Sequence, residues 1–484
     1  MTSAGFLALT AMAHPALASG DVPPDPADPT TVGLVIGPSG VPIPGSDYVQ
    51  AANSLYIQPN FPGTTYPDPY VNGLFTPEYP VLSMPFSDNY PNASTGPLAG
   101  FPDQSTSVGQ GMLILDNAIA SNKAADDIST VFGWSQSSSI SSLVMQQLDP
   151  SGTPMPDDGL QFVLVGDPSA PNGGLSERFD GLNVPSLGIS FDGATPANDF
   201  PTDIYTLEYD GFADFPKYPI DFLADVNAVL GLETIHGDYL IQTPEQVKDA
   251  ILLPGSELLG TPDSLTNYYM TDETAPLVTL LSGIPVIGKP LADLLGPDLT
   301  VLINLGYGAD NLGYSLPANV PTQFGLFPDV NPATVLNELV AGAQQGMSAF
   351  GGDMSHLSLS SLSSLSPAAS PPSLTSLTDL VTGLSIAASD PAATVTDVVN
   401  AFTSAGAALS ALLMQTLDIA NSAVTTMPAY DVSLFLDHLN NPLDAIGLPI
   451  AADTALLTIA GGFELAVLEG AVTIVIDDFA ALAP

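Results

Sequence analysis

The sequence predicts an α/β fold in which a mainly parallel sheet is covered by helices on both faces. Short apolar segments of strand length alternate along the chain with amphipathic segments of helical length, the order typical of such a sheet. Several of the strand segments are apolar throughout, as in parallel strands that are buried on both faces. One of them, beginning at Ile128, turns sharply at Gly133 and continues directly into helical apolar spacing.

The composition narrows the classes of function. The chain has 484 residues, 45% of them hydrophobic, and a formal net charge of −46, because 51 acidic residues face only 5 Lys and Arg. Such a surface repels phosphate backbones, so we expect no nucleic-acid partner. The sequence has no cysteine, which excludes disulfides, thiolate catalysis and cysteine-based zinc sites. It has no acidic run at calcium-loop spacing, and it predicts neither a metal site nor a cofactor.

The first 31 residues resemble a secretion signal followed by a Pro- and Asp-rich linker. Residues 5–17 are apolar and Ala-rich, and Ala16-Leu17-Ala18 forms a small-x-small cleavage pattern before Ser19. The basic residues that normally precede such a segment are missing, which leaves the true start and the cleavage site open. We expect a secreted or cell-envelope protein.

Before the turn at Gly133, the sequence predicts two strands and one helix. Residues 32–36 form a buried-strand candidate that ends in a loop containing Gly and Ser. Residues 41–80 show little periodicity and are predicted to be ordered but irregular, and residues 81–84 are the second strand candidate. Residues 105–120 carry apolar side chains at helical spacing and are predicted as an amphipathic helix.

After the turn, the sequence predicts further strands and helices. Residues 161–167, 184–191 and 204–209 are strand candidates, and residues 219–231 carry one apolar helical face. Residues 244–345 are predicted as helical segments and loops. Within this region, the stretch from Pro276 to Gly308 is apolar and is interrupted by Pro and Gly. We interpret this stretch as part of the core, and a lid or lipid-facing wall is the alternative.

The composition changes after the α/β domain, which is predicted as residues 32–350. The C-terminal region, residues 351–484, begins as a low-complexity Leu- and Ser-rich linker and continues as Ala-, Leu- and Val-rich helical sequence. Residues 455–476 approach the length of a membrane span. They contain Glu464 and Glu469, so we favour a packed or wall-associated helix over a true span.

The strand, turn and helix around Ser135 have the layout of a nucleophile elbow, in which a serine stands at the tip of a strained turn with its hydroxyl exposed. The motif reads Gly133-Trp134-Ser135-Gln136-Ser137, with a small serine where the common pattern has a second glycine. Because Gly-x-Ser-x-Ser also arises by chance in Ser-rich sequence, this interpretation depends on finding a base and an acid in the right order.

An α/β-hydrolase triad runs along the chain in the order serine, acid, histidine. Of the four histidines, His14 precedes Ser135, His356 lies in low-complexity sequence and His438 lies in the C-terminal region. His236 follows a predicted helix in a loop-like segment, where this fold places its general base. An isolated histidine more often has only a structural role, but the scarcity of histidines and the chain order favour His236 as the base.

The acid is expected at the end of the strand before that helix, where Asp210 and Asp214 are both available. Asp210 stands directly at the strand end and is favoured, whereas Asp214 is the alternative and can instead cap the next segment. Asp-Gly is also a common turn pair, so turn formation alone would explain Asp210. The backbone amide of Gln136 and an amide from the loop around Ser39 are expected to form the oxyanion hole.

Several separate segments occur in order: Gln110-Gly111, Val131 to Ser137, Pro171 to Gly174, Phe191 to Pro196, Tyr209 to Pro216, His236-Gly237, Ile284 to Gly288 and Asn304 to Gly308. Together they resemble the PE-PPE domain of mycobacteria and related actinobacteria, over roughly residues 32–350. The resemblance implies a cutinase-like serine α/β-hydrolase with a Ser-Asp-His triad. No N-terminal PE or PPE helical module is recognised, so we expect a free-standing member, and the domain does not explain the C-terminal region.

The resemblance implies an esterase or lipase that hydrolyses acyl esters, with Ser135, Asp210 and His236 as its triad. Some members of the family are instead acyltransferases that build trehalose-based envelope lipids, and this activity is the alternative. A hypothesis of another class is a non-catalytic, acidic surface protein that uses the same fold for binding. A third assigns the function to the C-terminal region, through which the protein would associate with the cell envelope.

Overall fold

A computed structural model of the protein describes residues 30–39, 41, 44–65, 73–74, 106–156, 158–184, 189–285, 287–356 and 395–480. Nearly all of the signal-like segment, the strand candidate at residues 81–84 and the low-complexity linker from Leu357 lie outside these residues.

The strands are β1 (Thr31–Ile36), β2 (Gly73–Leu74), β3 (Ile128–Trp134), β4 (Leu160–Val165), β5 (Asn183–Val184), β6 (Ile189–Ser190), β7 (Thr202–Leu207), β8 (Ile251–Leu252) and β9 (Thr266–Thr271). Within the described residues, seven of them form one sheet in the order β2-β1-β3-β4-β7-β9-β8. Every neighbouring pair is parallel except β8 and β9. The predicted α/β class with a mainly parallel sheet is therefore confirmed.

The helices are α1 (Ser46–Ala52), α2 (Gln58–Asn60), α3 (Thr106–Ala124), α4 (Gln136–Leu148), α5 (Leu175–Arg178), α6 (Phe222–Thr234), α7 (Pro244–Lys248), α8 (Pro276–Ser282), α9 (Gly288–Asn304), α10 (Pro332–His356), α11 (Val395–Asp437) and α12 (Pro442–Ala480). A π-helical turn, Asn53–Ile57, joins α1 to α2, and 3-10 turns lie at Tyr239–Ile241 and Glu257–Leu259. One face of the sheet packs against α1, α6 and α9, and the other packs against α3 and α4.

The helix predicted at residues 219–231 is observed as α6, three residues further along the chain. It begins after Asp221 because this carboxylate accepts hydrogen bonds from the backbone N–H groups of Leu223 and Ala224, at 3.2 and 3.3 Å. Such a cap satisfies donors that the first turn of a helix leaves without partners. The position of α6 matters for the site, because the histidine expected to act as the base follows its C-terminal end.

Three parts of the sequence-based description differ from the structure. Residues 46–60 are helical, although their aperiodic composition suggested an irregular segment. The strand predicted at residues 184–191 is instead two short strands, β5 and β6, that pair with each other outside the main sheet. Strand β9 was missed because its residues, Thr-Asn-Tyr-Tyr-Met-Thr, are not an apolar run. Tyr269 of β9 and Tyr205 of β7 nonetheless stack with ring centroids 4.5 Å apart, which packs β9 against its neighbour.

The C-terminal helices form a hairpin that packs against the α/β domain. One stripe of α12 is buried, with side chains that share one face of the helix: Ala445, Leu448, Ala451, Ala452, Ala455 and Ile459. This stripe joins a hydrophobic cluster that includes Ala228, Val229 and Leu232 of α6. A Cβ at Gly462 would lie 2.2 Å from Val229, so the two helices approach closely there. The hairpin therefore supports α6 from the side opposite the sheet.

The interior of the domain contains carboxyl groups whose pKa is raised by burial. Asp225 of α6 has no exposed surface, and neither of its carboxylate oxygens has a hydrogen-bond partner within the described residues. Burial raises the pKa of Asp225 to about 9 and the pKa values of Glu177 and Glu208 to about 7. An acid whose pKa is higher in the folded state binds more protons when folded than when unfolded. Its contribution to stability is therefore present at low pH and is lost as the pH rises through the folded-state pKa.

We expect the melting temperature of the protein to fall between about pH 5 and about pH 9, with Asp225 as a main contributor. The Asp225→Asn variant cannot ionise at this position, so its melting temperature should fall less and should exceed that of the wild type at the alkaline end. Asp263→Asn removes an exposed carboxylate and is the control, expected to follow the wild type. Thermal unfolding across this range checks the prediction, and parallel curves for Asp225→Asn and the wild type would contradict it.

Candidate active site

Ser135 stands between the end of β3 and the first residue of α4 with φ 59° and ψ −120°. A positive φ is strained for a residue with a side chain and is tolerated where the surrounding structure enforces it. A Cβ at Gly133 would lie 2.8 Å from the carbonyl oxygen of Ser137, so only glycine fits there. The serine at 137 also fits, because its Oγ accepts a hydrogen bond from the N–H of Trp134 at 2.8 Å. The turn thus has the backbone geometry of the predicted nucleophile elbow.

His236 follows the C-terminal end of α6, and its ring lies beside Ser135. The Nε2 atom of His236 is 2.8 Å from the Oγ atom of Ser135. The backbone N–H of His236 donates to the carbonyl oxygen of Gly231 at 3.1 Å, which ties the histidine to the last turn of the helix. The ring of Phe212 covers one side of the imidazole, with centroids 4.6 Å apart.

Asp210 lies in the loop after β7, has no exposed surface, and faces the other nitrogen of His236. Its Oδ1 and Oδ2 atoms are 2.9 and 2.8 Å from Nδ1 of the imidazole. Two further donors reach the carboxylate: the backbone N–H of Phe212 at 3.0 Å and the hydroxyl of Tyr239 at 2.7 Å. An ionised carboxylate only accepts hydrogen bonds, and these donors offset the loss of its hydration.

Asp214, the alternative acid, has different partners. Its Oδ2 accepts a hydrogen bond from the backbone N–H of Tyr209 at 2.9 Å, and within the described residues it makes no hydrogen bond to His236. Burial raises the pKa of Asp214 well above its ordinary value, although the nearby Arg178 guanidinium opposes that rise. Of the two candidate acids, the structure brings Asp210 to the histidine and leaves Asp214 in the turn.

The residues predicted for the oxyanion hole lie at the same edge of the sheet. Gln136 is the first residue of α4, where backbone N–H groups point out of the helix end. Ser39 is half-buried in the turn after β1, and β1 is the parallel neighbour of β3. The Oγ atom of Ser137 lies 3.3 Å from the carbonyl oxygen of Ile36, so this turn starts beside the elbow. The participation of Gln136 and Ser39 in an oxyanion hole stays a prediction.

Sequence reasoning missed two residues that shape the site, Tyr239 and Gly166. The Tyr239 hydroxyl donates to Asp210, and its ring lies near that of His236, with centroids 6.1 Å apart. Gly166 follows β4 with φ +54°, and a Cβ there would lie 2.7 Å from the Tyr239 ring and 3.1 Å from the His236 ring. The one indication of Tyr239 in the sequence is its position three residues after the candidate base His236.

The arrangement can activate a serine hydroxyl. His236 can take the Oγ proton of Ser135 at Nε2 while Nδ1 donates to Asp210, which fixes the tautomer and stabilises the imidazolium. Within the described residues, no group of three or more His, Asp or Glu side chains is arranged to hold a metal ion.

Comparison with known proteins gives a family match. The family model of the PE-PPE domain matches residues 67–308. The uncharacterized PPE family protein PPE28 of Mycobacterium tuberculosis is 40% identical over 476 residues, covering 94% of this chain and 68% of that protein. Esterase PE16 of the same organism is 41% identical over 327 residues, covering 66% of this chain and 56% of the esterase. No solved structure matches the chain.

A more distant relative carries an acyltransferase name. Diacyltrehalose acyltransferase Chp2 of Mycobacterium tuberculosis is 26% identical over 345 residues, covering 68% of this chain and 90% of that protein. The named enzymes therefore include both an esterase and an acyltransferase.

We expect Gly166→Ala to destabilise the protein by about 1–3 kcal/mol and to displace the His236 ring, because the new methyl group collides with two aromatic side chains. Gly181→Ala is the matched control: Gly181 has a similar φ of +82°, but nothing lies within 4 Å of the added Cβ. The control therefore introduces the backbone strain without the collision. Denaturant unfolding and the NMR signals of the His236 imidazole measure both effects. A His236 spectrum that changes equally in the two variants would contradict the prediction.

Proposed function

Because the chain belongs to the PE-PPE domain family, we propose that it is a serine esterase or lipase that hydrolyses acyl esters through Ser135, His236 and Asp210. The observation that carries the proposal is the continuous chain of hydrogen bonds from the Ser135 hydroxyl through His236 to the buried Asp210 carboxylate. The 41% identity to a protein named as an esterase supports the same reaction class.

In the proposed mechanism, the Oγ atom of Ser135 attacks the carbonyl carbon of the ester while His236 accepts its proton. The carbonyl oxygen becomes an oxyanion, which the backbone amides of Gln136 and the Ser39 turn would stabilise. The carbon–oxygen bond to the alcohol then breaks, His236 returns its proton to the departing alcohol, and an acyl-enzyme remains. Asp210 keeps the imidazole oriented and stabilises its positive charge throughout.

The acyl-enzyme can be resolved by either of two acceptors. In hydrolysis, water attacks with His236 as base, releases the fatty acid and restores the serine. In acyl transfer, a sugar hydroxyl attacks in the same way and forms a new ester. The likeness to a protein named as a diacyltrehalose acyltransferase supports transfer to a trehalose-type glycolipid as the second candidate. The triad geometry is common to both reactions, so the acceptor must be identified by experiment.

We propose that the protein acts at the cell envelope and that the C-terminal hairpin contacts its lipid surface. Large apolar side chains of α12 are exposed in a stripe opposite the buried one: Leu443, Ile446, Ile450, Leu457, Leu465 and Leu468. By length and composition, Pro442–Ala466 could cross a membrane, but 33% of it is buried in the fold. This burial favours a helix that lies along a surface over one that spans it.

The charge of the hairpin indicates what kind of surface it would contact. Residues 395–480 contain Asp and Glu but no Lys or Arg, and the whole chain carries a net charge of −46. Such a protein is repelled by anionic lipid and by a second copy of itself. A neutral lipid or glycolipid surface is therefore the proposed partner of the exposed stripe.

We expect Ser135→Ala to lower the hydrolysis of p-nitrophenyl acyl esters by about 10³-fold or more and to abolish labelling by a fluorophosphonate probe. Ser139→Ala makes the same change four residues further along the Ser-rich segment and should retain both. Adding trehalose and analysing the products separates hydrolysis from acyl transfer. Equal activity in the Ser135→Ala variant and the wild type would contradict the serine mechanism. Inertness of the wild type toward both reagents would favour the binding-protein hypothesis.

We expect the protein to float with vesicles of neutral phosphatidylcholine and to bind less well when anionic lipid is added. The double variant Ile446→Gln/Ile450→Gln should lose this binding, because it makes the centre of the exposed stripe polar. Leu258→Gln/Leu259→Gln changes two equally exposed side chains on the α/β domain and is the control. Binding that survives in the first variant would contradict the proposed surface. Light scattering that shows a dimer broken by the same variant would assign the stripe to a second copy instead.

A further inference from the structure

The hydroxyl of Tyr239 joins the loop that carries the acid to the segment that carries the base. Tyr239 lies three residues after His236 and is completely buried. Its hydroxyl donates to Oδ2 of Asp210 at 2.7 Å, the same oxygen that lies 2.8 Å from Nδ1 of His236. One carboxylate oxygen of the proposed triad therefore accepts hydrogen bonds from two donors.

The direction of the Tyr239 hydrogen bond follows from its second partner. The backbone N–H of Leu207, the last residue of β7, lies 3.1 Å from the Tyr239 hydroxyl oxygen. A backbone N–H can only donate, so the hydroxyl oxygen accepts there and its single proton remains available for Asp210. Burial and the nearby Asp210 carboxylate raise the pKa of Tyr239 well above its ordinary value, so the hydroxyl keeps that proton.

The Tyr239 side chain is held rigidly in this position. The carbonyl oxygen of Tyr239 accepts a hydrogen bond from the buried hydroxyl of Tyr56 at 2.7 Å. The ring makes a T-shaped contact with that of Trp134, with centroids 6.1 Å apart, and it lies over Gly166, where a side chain would collide with it. A donor fixed by packing restricts the carboxylate it contacts more than a mobile one does.

We infer that Tyr239 is a positioning residue that holds the Asp210 carboxylate against His236 and keeps the shared proton on Nδ1 of the imidazole. The inference rests on the proposed function, since it assigns a role within that triad. Tyr239 acts through Asp210 and not on the substrate. By donating to Oδ2, it draws off part of the negative charge that Asp210 presents to the imidazole.

Removing the hydroxyl should therefore change the histidine in a defined direction. In Tyr239→Phe, the Asp210 carboxylate loses one donor, and its charge interacts more strongly with the protonated imidazole. The NMR titration midpoint of His236 should move to higher pH, and the acid limb of the kcat/KM profile should move with it. We expect kcat to fall about tenfold, the scale of one charged hydrogen bond, with KM nearly unchanged.

Two comparisons separate positioning from a general loss of stability. Tyr205→Phe also removes one buried tyrosine hydroxyl, the one bonded to the Asn60 side chain, but it leaves the donors to Asp210 and the hydrogen bonds of Tyr239 in place. It should be destabilised to a similar degree as Tyr239→Phe, while its His236 titration and acid limb match the wild type. A double-mutant cycle with Asp210→Asn adds a test: in that background, Tyr239→Phe should have little further effect on kcat.

The histidine titration needs no substrate, so it is independent of the proposed activity. Wild-type protein that fails to hydrolyse esters or react with a fluorophosphonate would overturn the proposed function, while the titration still tests the Tyr239–Asp210–His236 coupling. A His236 midpoint that is the same in Tyr239→Phe and wild type would overturn the inference even if both proteins are active. Additive losses of kcat in the double-mutant cycle would also overturn it.

Discussion

The burial of the Asp210 carboxylate is the constraint on which the rest of the site depends. A carboxyl group with no exposed surface needs hydrogen-bond donors from the protein, because it has lost its water. These donors come from two places in the chain: the backbone of Phe212 in the same loop, and the side chains of His236 and Tyr239 beyond α6. The acid therefore keeps its environment only if the end of α6 stays against the end of β7.

Close packing of backbones provides that attachment. A Cβ at Gly211 would lie 2.3 Å from the carbonyl oxygen of Ala228, and one at Gly231 would lie 1.9 Å from the carbonyl oxygen of Tyr209. The helix and the acid loop thus touch at two glycines, one on each element, and side chains would separate them. On its outer side, α6 is covered by the buried stripe of α12. The C-terminal hairpin therefore helps to fix the helix that directly precedes His236, beyond any role at a lipid surface.

Features that are local in sequence were predictable, and features that depend on distant contacts were not. The fold class followed from apolar periodicity, Ser135 from the strand, turn and helix around it, Asp210 from its place at a strand end, and His236 from chain order and the scarcity of histidine. Strand β9 was missed because tyrosines replace the usual aliphatic run, and their stacking on β7 depends on tertiary structure. The Tyr239 hydrogen bond was also hidden, because nothing in the sequence shows that residues 210 and 239 meet. The close approach at Gly166 depends on a third strand and was hidden for the same reason.

The contrast among the buried carboxyls indicates why Asp210 suits the role of triad acid. With only 5 Lys and Arg in the chain, few of its acids can be paired with a cation. Asp225 has no hydrogen-bond partner within the described residues, and burial raises its pKa to about 9, so it is neutral at pH 7. Asp214 accepts one backbone hydrogen bond, and its pKa is also raised. Asp210 is as buried as either of them, but three groups lie within hydrogen-bond distance of its carboxylate: the backbone N–H of Phe212, Nδ1 of His236 and the hydroxyl of Tyr239. The number of hydrogen-bond donors, and not burial alone, therefore distinguishes the acid beside His236 from its neighbours.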